Sequence, residues 1–500
     1  MTILDALDDP QLLGAAFDGD TWNAWRAFLA ACFALPMPEG QLATFRACTG
    51  RACVPEGQVR EAWCVAGRRG GKSRVAAAIA VYLAAFRDYT DVLATGEVGT
   101  LPIVAADRRQ ARTVMGYVTG LIEDTPMLAA MVVGRTAESI ELSTGVRIEI
   151  HTASWRALRG YTVVAAVCDE VAFWRSEDTA NPDVEIIGAL RPAMATIPGA
   201  LLVAISSPYA RRGILWEQFR RYHGRAGDTL VWCADTASMN PAVDPQVIAA
   251  AYDADPIAAS AEYGAQFRTD VETFVSREVV DACTVPGRQG VPPVPEAAYV
   301  AFTDPSGGSS DSMTLAVAHA ETARDGRVTT VLDQVTERKP PFSPEETVAE
   351  FCAILRAYGV HAVVGDRYGG QFVQEAFTKR GVAYTPSELP KSDLYRELLP
   401  ALTSRRVALL DHPRLHAQLL GLERRTSRAG RDSIDHGPGG HDDLANAAAG
   451  SLVLAATACD WGDAPCAVNL APAPEEAPIG LADTMRAEFG VAGLGRYVRE

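Results

Sequence analysis

The chain has little of what would place it outside a cell or in a membrane. Its ten cysteines are scattered over 500 residues. No Cys-x-x-Cys pair occurs, and Cys48 and Cys53 have no His or Cys partner at zinc spacing. A disulfide scaffold and a zinc ribbon are therefore not expected, and thiols inside apolar runs, such as Cys64 and Cys168, read as reduced and buried. The first residues, Met1-Thr2-Ile3-Leu4-Asp5, carry no basic region, and Asp8 and Asp9 follow, so no secretory leader is expected. The most apolar late run, residues 444–459, contains Asn446, Gly450 and Ser451, so it reads as a buried helix and not as a membrane span. Positive charge is also scarce: 46 Lys and Arg stand against 62 Asp and Glu, a net charge of −16. That argues against tight, static coating of nucleic acid by the isolated chain and leaves room only for a local basic channel. No internal repeat is visible.

What is present is ordinary globular material. Hydrophobic residues make up 48% of the chain, enough for sizeable cores, and the length suggests two to four domains. In residues 1–55, Trp22, Trp25, Phe28, Leu29, Cys32 and Phe33 recur at helical spacing, either as core and lid packing or as a cover for a bound base. Residues 56–283 alternate apolar strands (62–66, 101–106, 146–151, 163–168, 200–205) with helices, as in a mostly parallel sheet covered on both faces. Residues 284–297 are Pro/Gly-rich and read as a linker. Residues 298–459 open with three meander strands (299–303, 313–319, 328–335), then a helix (344–358), a strand (361–365) and a late helix beginning at His441-Asp442-Asp443. Residues 460–500 read as a flexible tail.

The densest chemical signal is Gly67-Arg68-Arg69-Gly70-Gly71-Lys72-Ser73, between the apolar run 62–66 and the helix-forming run 75–80. Strand, glycine-rich turn and helix are the layout of a phosphate-binding loop. Lys72 is placed to reach β and γ phosphates, and the Ser73 hydroxyl to hold Mg²⁺. The first glycine of the usual spacing would fall at position 66; here that residue is Ala66 and the glycine comes one step later. Arg68 and Arg69 are expected to meet phosphates or the coupling machinery. Strand 163–168 runs into Asp169-Glu170: Asp169 would bind Mg²⁺ through water, and Glu170 would polarise the attacking water. Strand 200–205 delivers Ser206-Ser207-Pro208, either a sensor of the γ-phosphate or a simple polar turn. Arg156 and Arg159 precede the Asp169 strand, either as surface charges or as arginines supplied to a neighbouring subunit's site.

A second constellation lies downstream. Asp304 and Asp366 each end an expected strand, and Asp442 and Asp443 begin a helix. Carboxylates from two strands and a helix can hold two divalent ions for in-line phosphodiester hydrolysis, and strand–strand–strand–helix–strand is the ribonuclease H-like pattern. Taken singly, each aspartate also suits a strand end or a helix cap. The basic, glycine-rich stretch 424–440 (Arg424, Arg425, Arg428, Arg431, Gly437, Gly439, Gly440) reads as a loop, either contacting DNA phosphates or simply solvated.

Together these motifs resemble the large terminase subunit of tailed bacteriophages and related gene-transfer particles. The resemblance covers residues ~20–460 and rests on GRRGGKS (67–73), LRGYTVVAAVCDEVAFW (158–174), AISSPYARRG (204–213), MNP (239–241), TDPSGG (303–308), VGDRYGG (364–370) and HDDLANA (441–447) in that order. It implies an ASCE-type P-loop ATPase domain followed by an RNase H-like nuclease domain, acting as an ATP-driven DNA translocase and endonuclease. Lys72, Ser73 and Asp169 would bind ATP and Mg²⁺, Glu170 would be catalytic, Arg159 would act in trans, and Ser206-Ser207-Pro208 would couple. Asp304, Asp366 and Asp443 would hold the nuclease metals, Mg²⁺ or Mn²⁺, with Asp442 sharing or replacing the role of Asp443. Implied partners are double-stranded DNA, the portal of a procapsid, a small terminase subunit and further copies in a ring of five, in the host bacterial cytoplasm. A repair or recombination translocase–nuclease and an ATP-switched assembly scaffold are the competing readings.

Overall fold

A computed structural model describes residues 1–152, 160–174, 182–309, 311–366, 370–426, 432–438 and 440–460. Its first sheet has eight strands: β1 (Glu61–Ala66), β2 (Gly99–Ala105), β3 (Val132–Arg135), β4 (Ser139–Leu142), β5 (Val146–Thr152), β6 (Ala165–Asp169), β7 (Leu201–Ser206) and β8 (Thr229–Ala234). Their order is β3-β4-β5-β2-β6-β7-β1-β8. All pairings from β5 to β8 are parallel, and only the β3-β4-β5 margin is antiparallel. The central strands β2, β6 and β7 are buried at every position, so their unbroken apolar runs face helices on both sides. The N-terminal helices join this same core through Trp25, Phe28, Leu29 and Cys32.

The order of these strands decides what the sheet can do. β1, which leads into the glycine-rich turn, and β6, which ends in Asp169, are not neighbours; β7 lies between them. All three strands end on the same edge because they are parallel, and that edge is where open α/β sheets bind ligands.

A short strand, β9 (Val271–Thr273), follows. The second large sheet holds β10 (Tyr299–Asp304), β11 (Met313–Thr322), β12 (Val328–Arg338), β13 (Ala362–Gly365), β14 (Ala383–Pro386) and β15 (Val407–Ala408), in the order β14-β13-β10-β11-β12-β15. β10, β11 and β12 form an antiparallel meander, while β13 runs parallel to β10 and β14 parallel to β13. The helix Asp443–Asp460 packs on this sheet through a run of small residues, Ala445, Ala447, Ala448, Ala449 and Gly450, that is buried around its whole circumference. Its approach is close: a Cβ added at Gly450 would lie 2.3 Å from the Phe302 ring.

Two places differ from the sequence reading. The stretch 424–440 is not one loop: β16 (Leu422–Thr426) and β17 (Asp432–His436) form a hairpin that pairs antiparallel with β9. Each strand gives one apolar residue to the core, Leu422 and Ile434, while Glu423 is buried on the other face and Arg424 pairs with Asp432. Residues 284–297 carry no regular element, yet they are fastened to the second sheet, with Val291 N–H donating to Asp333 O (2.8 Å) and Tyr358 Oη to Val291 O (2.7 Å). Phe274, Val275, Val280 and Cys283, which precede that stretch, pack in the core of the second sheet as well. Among the described residues no helix is long and apolar enough to cross a membrane. The expected tail, beyond residue 460, lies outside the described residues.

Candidate ATPase and nuclease sites

The phosphate loop is built by its neighbours. Beyond Ala66 the chain turns through Arg69 (φ 64°) and Gly71 (φ 95°) into the helix Lys72–Ala85. Three loop carbonyls are tied from outside. Thr236 Oγ1 donates to Arg68 O (2.8 Å), Asn240 Nδ2 to Arg69 O (2.8 Å) and Trp25 Nε1 to Gly70 O (2.7 Å). Gly67 accounts for the one-step displacement of the glycine. A Cβ there would sit 2.2 Å from Thr236 Oγ1 and 2.6 Å from the Tyr263 carbonyl, so the close crossing, and hence the glycine, falls at 67. Lys72 is buried, and its ammonium donates to Ala66 O (2.9 Å), Gly67 O (3.1 Å) and Ser207 Oγ (2.9 Å). Ser73 follows it in the first helical turn, whose N–H groups have no partner within the helix. Arg68 is exposed and pairs with Glu262 at 2.9 Å.

Across β7 stands the acidic pair. Asp169 is buried, and its Oδ1 has no hydrogen-bond partner among the described residues. Burial, and next the Glu170 charge, push its pKa up to about 7. An orphaned buried carboxylate oxygen beside a phosphate loop fits a divalent cation, directly or through water. Glu170 sits in the left-handed region (φ 50°, ψ 48°), a conformation that costs a non-glycine residue about 1–2 kcal/mol. That turn is held by Trp174 Nε1 donating to Asp169 O (2.8 Å). The turn aims the Glu170 carboxylate across β7, where it accepts from Ser207 N–H (3.1 Å) and Ser206 Oγ (3.2 Å) and comes 3.9 Å from Lys72 Nζ. Ser206 and Ser207 thus bridge the two halves of the site. A cavity of about 730 Å³ opens here, lined by Arg68, Gln110, Asp169, Glu170, Arg268 and Arg425. Arg425 comes from the β16–β17 hairpin. Arg156 and Arg159 lie outside the described residues, as do Arg428, Arg431 and Gly439.

The second site lies at an end of the other sheet. Thr303 and Gly365 are partners in the parallel β10–β13 register, so Asp304 and Asp366, the next residues, emerge side by side. Gly365 has no room for a side chain, because its Cβ would meet Tyr384 Oη at 2.2 Å. Asp443 enters from the covering helix, its carbonyl accepting from Thr314 Oγ1 (2.8 Å). Burial drives Asp304 up to about 8; the hydrogen bond from Asn446 opposes this, and the charges of Asp443, Asp366 and Asp442 add to it. Burial, then the Asp442 charge, raise Asp443 to about 6. Asp443 Oδ2 is buried without a partner among the described residues. Crowded carboxylates with an orphaned oxygen fit divalent cations held by oxygen ligands.

Asp442 is placed differently. Its carboxylate accepts from Tyr395 Oη (2.9 Å) and pairs with Lys391 Nζ (3.0 Å), which also binds Asp435 (2.8 Å). Ligand atoms of Asp435, His436 and Asp442 lie within 4.8 Å of one another, but Lys391 already supplies the positive charge there. Sequence reasoning overlooked Asn446, Lys391, Tyr395 and Tyr384 around this site. Asn446 alone left a trace, as one amide in an alanine-rich helical run three residues after Asp443.

The strand orders and the two sites define a P-loop ATPase fold of the added-strand type joined to a ribonuclease H-like fold. No protein-family model matches the chain, and no curated protein matches it. Similar solved structures include the large terminase of bacteriophage HK97, 16% identical over 87% of this chain and 100% of that one, with a TM-score of 0.36. A large terminase from a thermophilic bacteriophage, in complex with ADP, is 11% identical over 86% of this chain and 98% of that one, TM-score 0.36. The large terminase nuclease of thermophilic phage G20c with bound magnesium is 20% identical over 35% of this chain and 94% of that one, TM-score 0.29. At such scores the likenesses carry no weight for the chemistry, which rests on the geometry above.

Proposed function

We propose that this chain is the motor subunit of a viral DNA-packaging machine, an ATPase that drives double-stranded DNA into a procapsid and a metal-dependent endonuclease that cuts it. One observation carries the reading: a single chain holds a Lys72–Ser207–Glu170 relay at one sheet edge and three converging aspartates at another. The ordered motif set of the sequence adds the packaging role.

At the first site Lys72, Ser73 and Asp169 would hold ATP and Mg²⁺, the cation screening phosphate charge. Glu170 would orient and deprotonate water. Its carboxylate is held by Ser206 and Ser207, and Ser207 also holds Lys72, so a change at the phosphate end alters the grip on the base. Tyr209, two residues on, carries the effect outward: its Oη donates to Glu423 of the hairpin at 2.6 Å. At the second site Asp304, Asp366 and Asp443 would hold Mg²⁺ or Mn²⁺, which would activate water and stabilise the leaving oxygen. Portal, small subunit and a ring of further copies, with Arg159 acting across its interfaces, belong to this proposal, as does action in the host cytoplasm.

Two substitutions test it. Glu170→Ala is expected to abolish ATP turnover and keep divalent-dependent plasmid cleavage; Asp366→Ala is expected to do the reverse. ATPase retained in the first, or undiminished cleavage by the second, refutes the assignment. ATPase stimulated by a portal-bearing empty capsid supports packaging; stimulation by broken or forked DNA alone, with none by the capsid, replaces it with a repair role.

A further inference from the structure

The carboxylate cleft contains a group that neither the triad nor the packaging reading uses. Asn446 lies three residues after Asp443 on the covering helix and is fully buried. Its Nδ2 donates to Asp304 Oδ2 at 2.8 Å and reaches Asp366 Oδ2 at 3.4 Å. Its Oδ1 is buried and without a hydrogen-bond partner among the described residues. Its neighbours on the helix, Leu444, Ala445, Ala447, Ala448 and Ala449, are all apolar and buried.

Asparagine is a poor choice here on local grounds. It is a weaker helix former than alanine, and burying an amide is unfavourable unless both its ends are bonded. An amide serving only to fill space would be bonded at both ends or replaced by another alanine. Here one end is committed to two carboxylates that belong to different strands, and the other is left open. The register of β10 and β13 forces Asp304 and Asp366 together. Like charges at that spacing repel, and the shared N–H donor offsets the repulsion.

We infer that Asn446 is a positioning residue of the carboxylate centre: its amide N–H groups hold Asp304 and Asp366 converged, and its carbonyl oxygen stands beside them as a further neutral oxygen donor. This rests on the nuclease reading above. Groups of this kind typically change metal affinity by about 10- to 100-fold when removed.

The test is a calorimetric titration of Mn²⁺ into the full chain, with plasmid cleavage followed across Mn²⁺ concentration. Asn446→Ala is expected to weaken Mn²⁺ binding about 10- to 100-fold and to raise the half-saturating Mn²⁺ for cleavage by the same factor. Cleavage at saturating Mn²⁺ should recover most of its rate, and ATP turnover should be unchanged. Asn446→Asp replaces the donor by a fourth carboxylate. It should melt lower than wild type without metal and show the larger Mn²⁺-induced rise in Tm. An Asn446→Ala protein that melts lower yet binds Mn²⁺ as tightly as wild type overturns the inference, because a purely structural amide does that. If the alanine variant does not fold, Asn446→Ser is read in the same titration; weakened binding supports the inference and unchanged binding overturns it. Wild-type protein that neither binds Mn²⁺ nor cuts DNA refutes the nuclease reading itself, whereas a competent wild type with an unaltered alanine variant refutes this inference alone.

Discussion

Gly450→Ala is the sharpest probe of how the second sheet positions its chemistry. The new Cβ would lie 2.3 Å from two atoms of the Phe302 ring and 2.7 Å from a third. Ordinary carbon–carbon contact begins near 3.5 Å, so the helix Asp443–Asp460 and β10 must separate by about 1 Å or the ring must leave its place. Phe302 is fully buried, and it lies two residues before Asp304 on β10. Overpacking of this kind costs about 1–3 kcal/mol. Alanine regains about 0.5–1 kcal/mol as the better helix former, which is smaller, so the variant is expected to be net destabilised. The Tm of the second unit should fall by about 2–4 °C per kcal/mol lost. The functional loss should be larger, because Asp443 rides on the displaced helix while Asp304 stays with the strand. A misplacement of about 1 Å costs on the order of 100-fold in rate. The assay compares plasmid cleavage with ATP turnover in the same preparation. ATP turnover should be unaffected, since the phosphate loop belongs to the other sheet. Unchanged cleavage together with unchanged Tm would show that the helix does not sit on Phe302 as described.

Three further outcomes are expected. Gly67→Ala forces a Cβ against Thr236 and the Tyr263 carbonyl, so a fluorescent ATP analogue should bind at least about tenfold more weakly, a loss of about 1.4 kcal/mol; an unchanged Kd would refute the close crossing. Glu423→Ala removes a fully buried carboxylate that accepts from Tyr209 and pairs with Arg212 and Arg425. The two arginines reach solvent, so the cost should be about 2 kcal/mol, below the roughly 3–5 of a wholly buried pair, and denaturant unfolding that shows no loss would sink the idea. His319 is pushed up to about 9: burial lowers it, but hydrogen bonds and charge from Asp333 and Glu321 outweigh burial. Its contribution to stability is complete below about pH 6.5 and lost as pH rises through about 9. Tyr299, Tyr358 and Arg288 also interact with Asp333 among the described residues. His319→Gln should therefore flatten the fall in Tm between about pH 6.5 and 9, and an equally steep fall in that variant would refute the assignment.

Much of this was legible in the chain itself. The apolar runs ending in Gly67, Asp169 and Ser206 announce parallel strands, because only strands covered on both faces are apolar at every position. Asp304 and Asp366 were readable as strand ends because short apolar runs, 300–302 and 362–364, lead up to them. What defeated the reading was a hairpin rich in arginine and poor in apolar residues. Leu422 and Ile434 are the single apolar residues of two otherwise polar strands, too few to distinguish β16 and β17 from a loop, and the pairing partner β9 lies some 150 residues earlier. Asp442 and Asp443 were adjacent carboxylates with one role between them on sequence grounds. Lys391 and Tyr395 separate them by occupying Asp442, and both come from a different helix.

The sequence by itself therefore determined which residues end strands and open helices, since burial periodicity and turn chemistry are local. The tertiary structure alone decided which of those ends meet. It put β7 between β1 and β6, so that Ser207 touches both Lys72 and Glu170. It placed the displaced glycine under Thr236, 169 residues away, and an asparagine between two aspartates 62 residues apart. Those relations depend on strand order and helix approach, which arise from packing whole elements against one another and are written in no single segment.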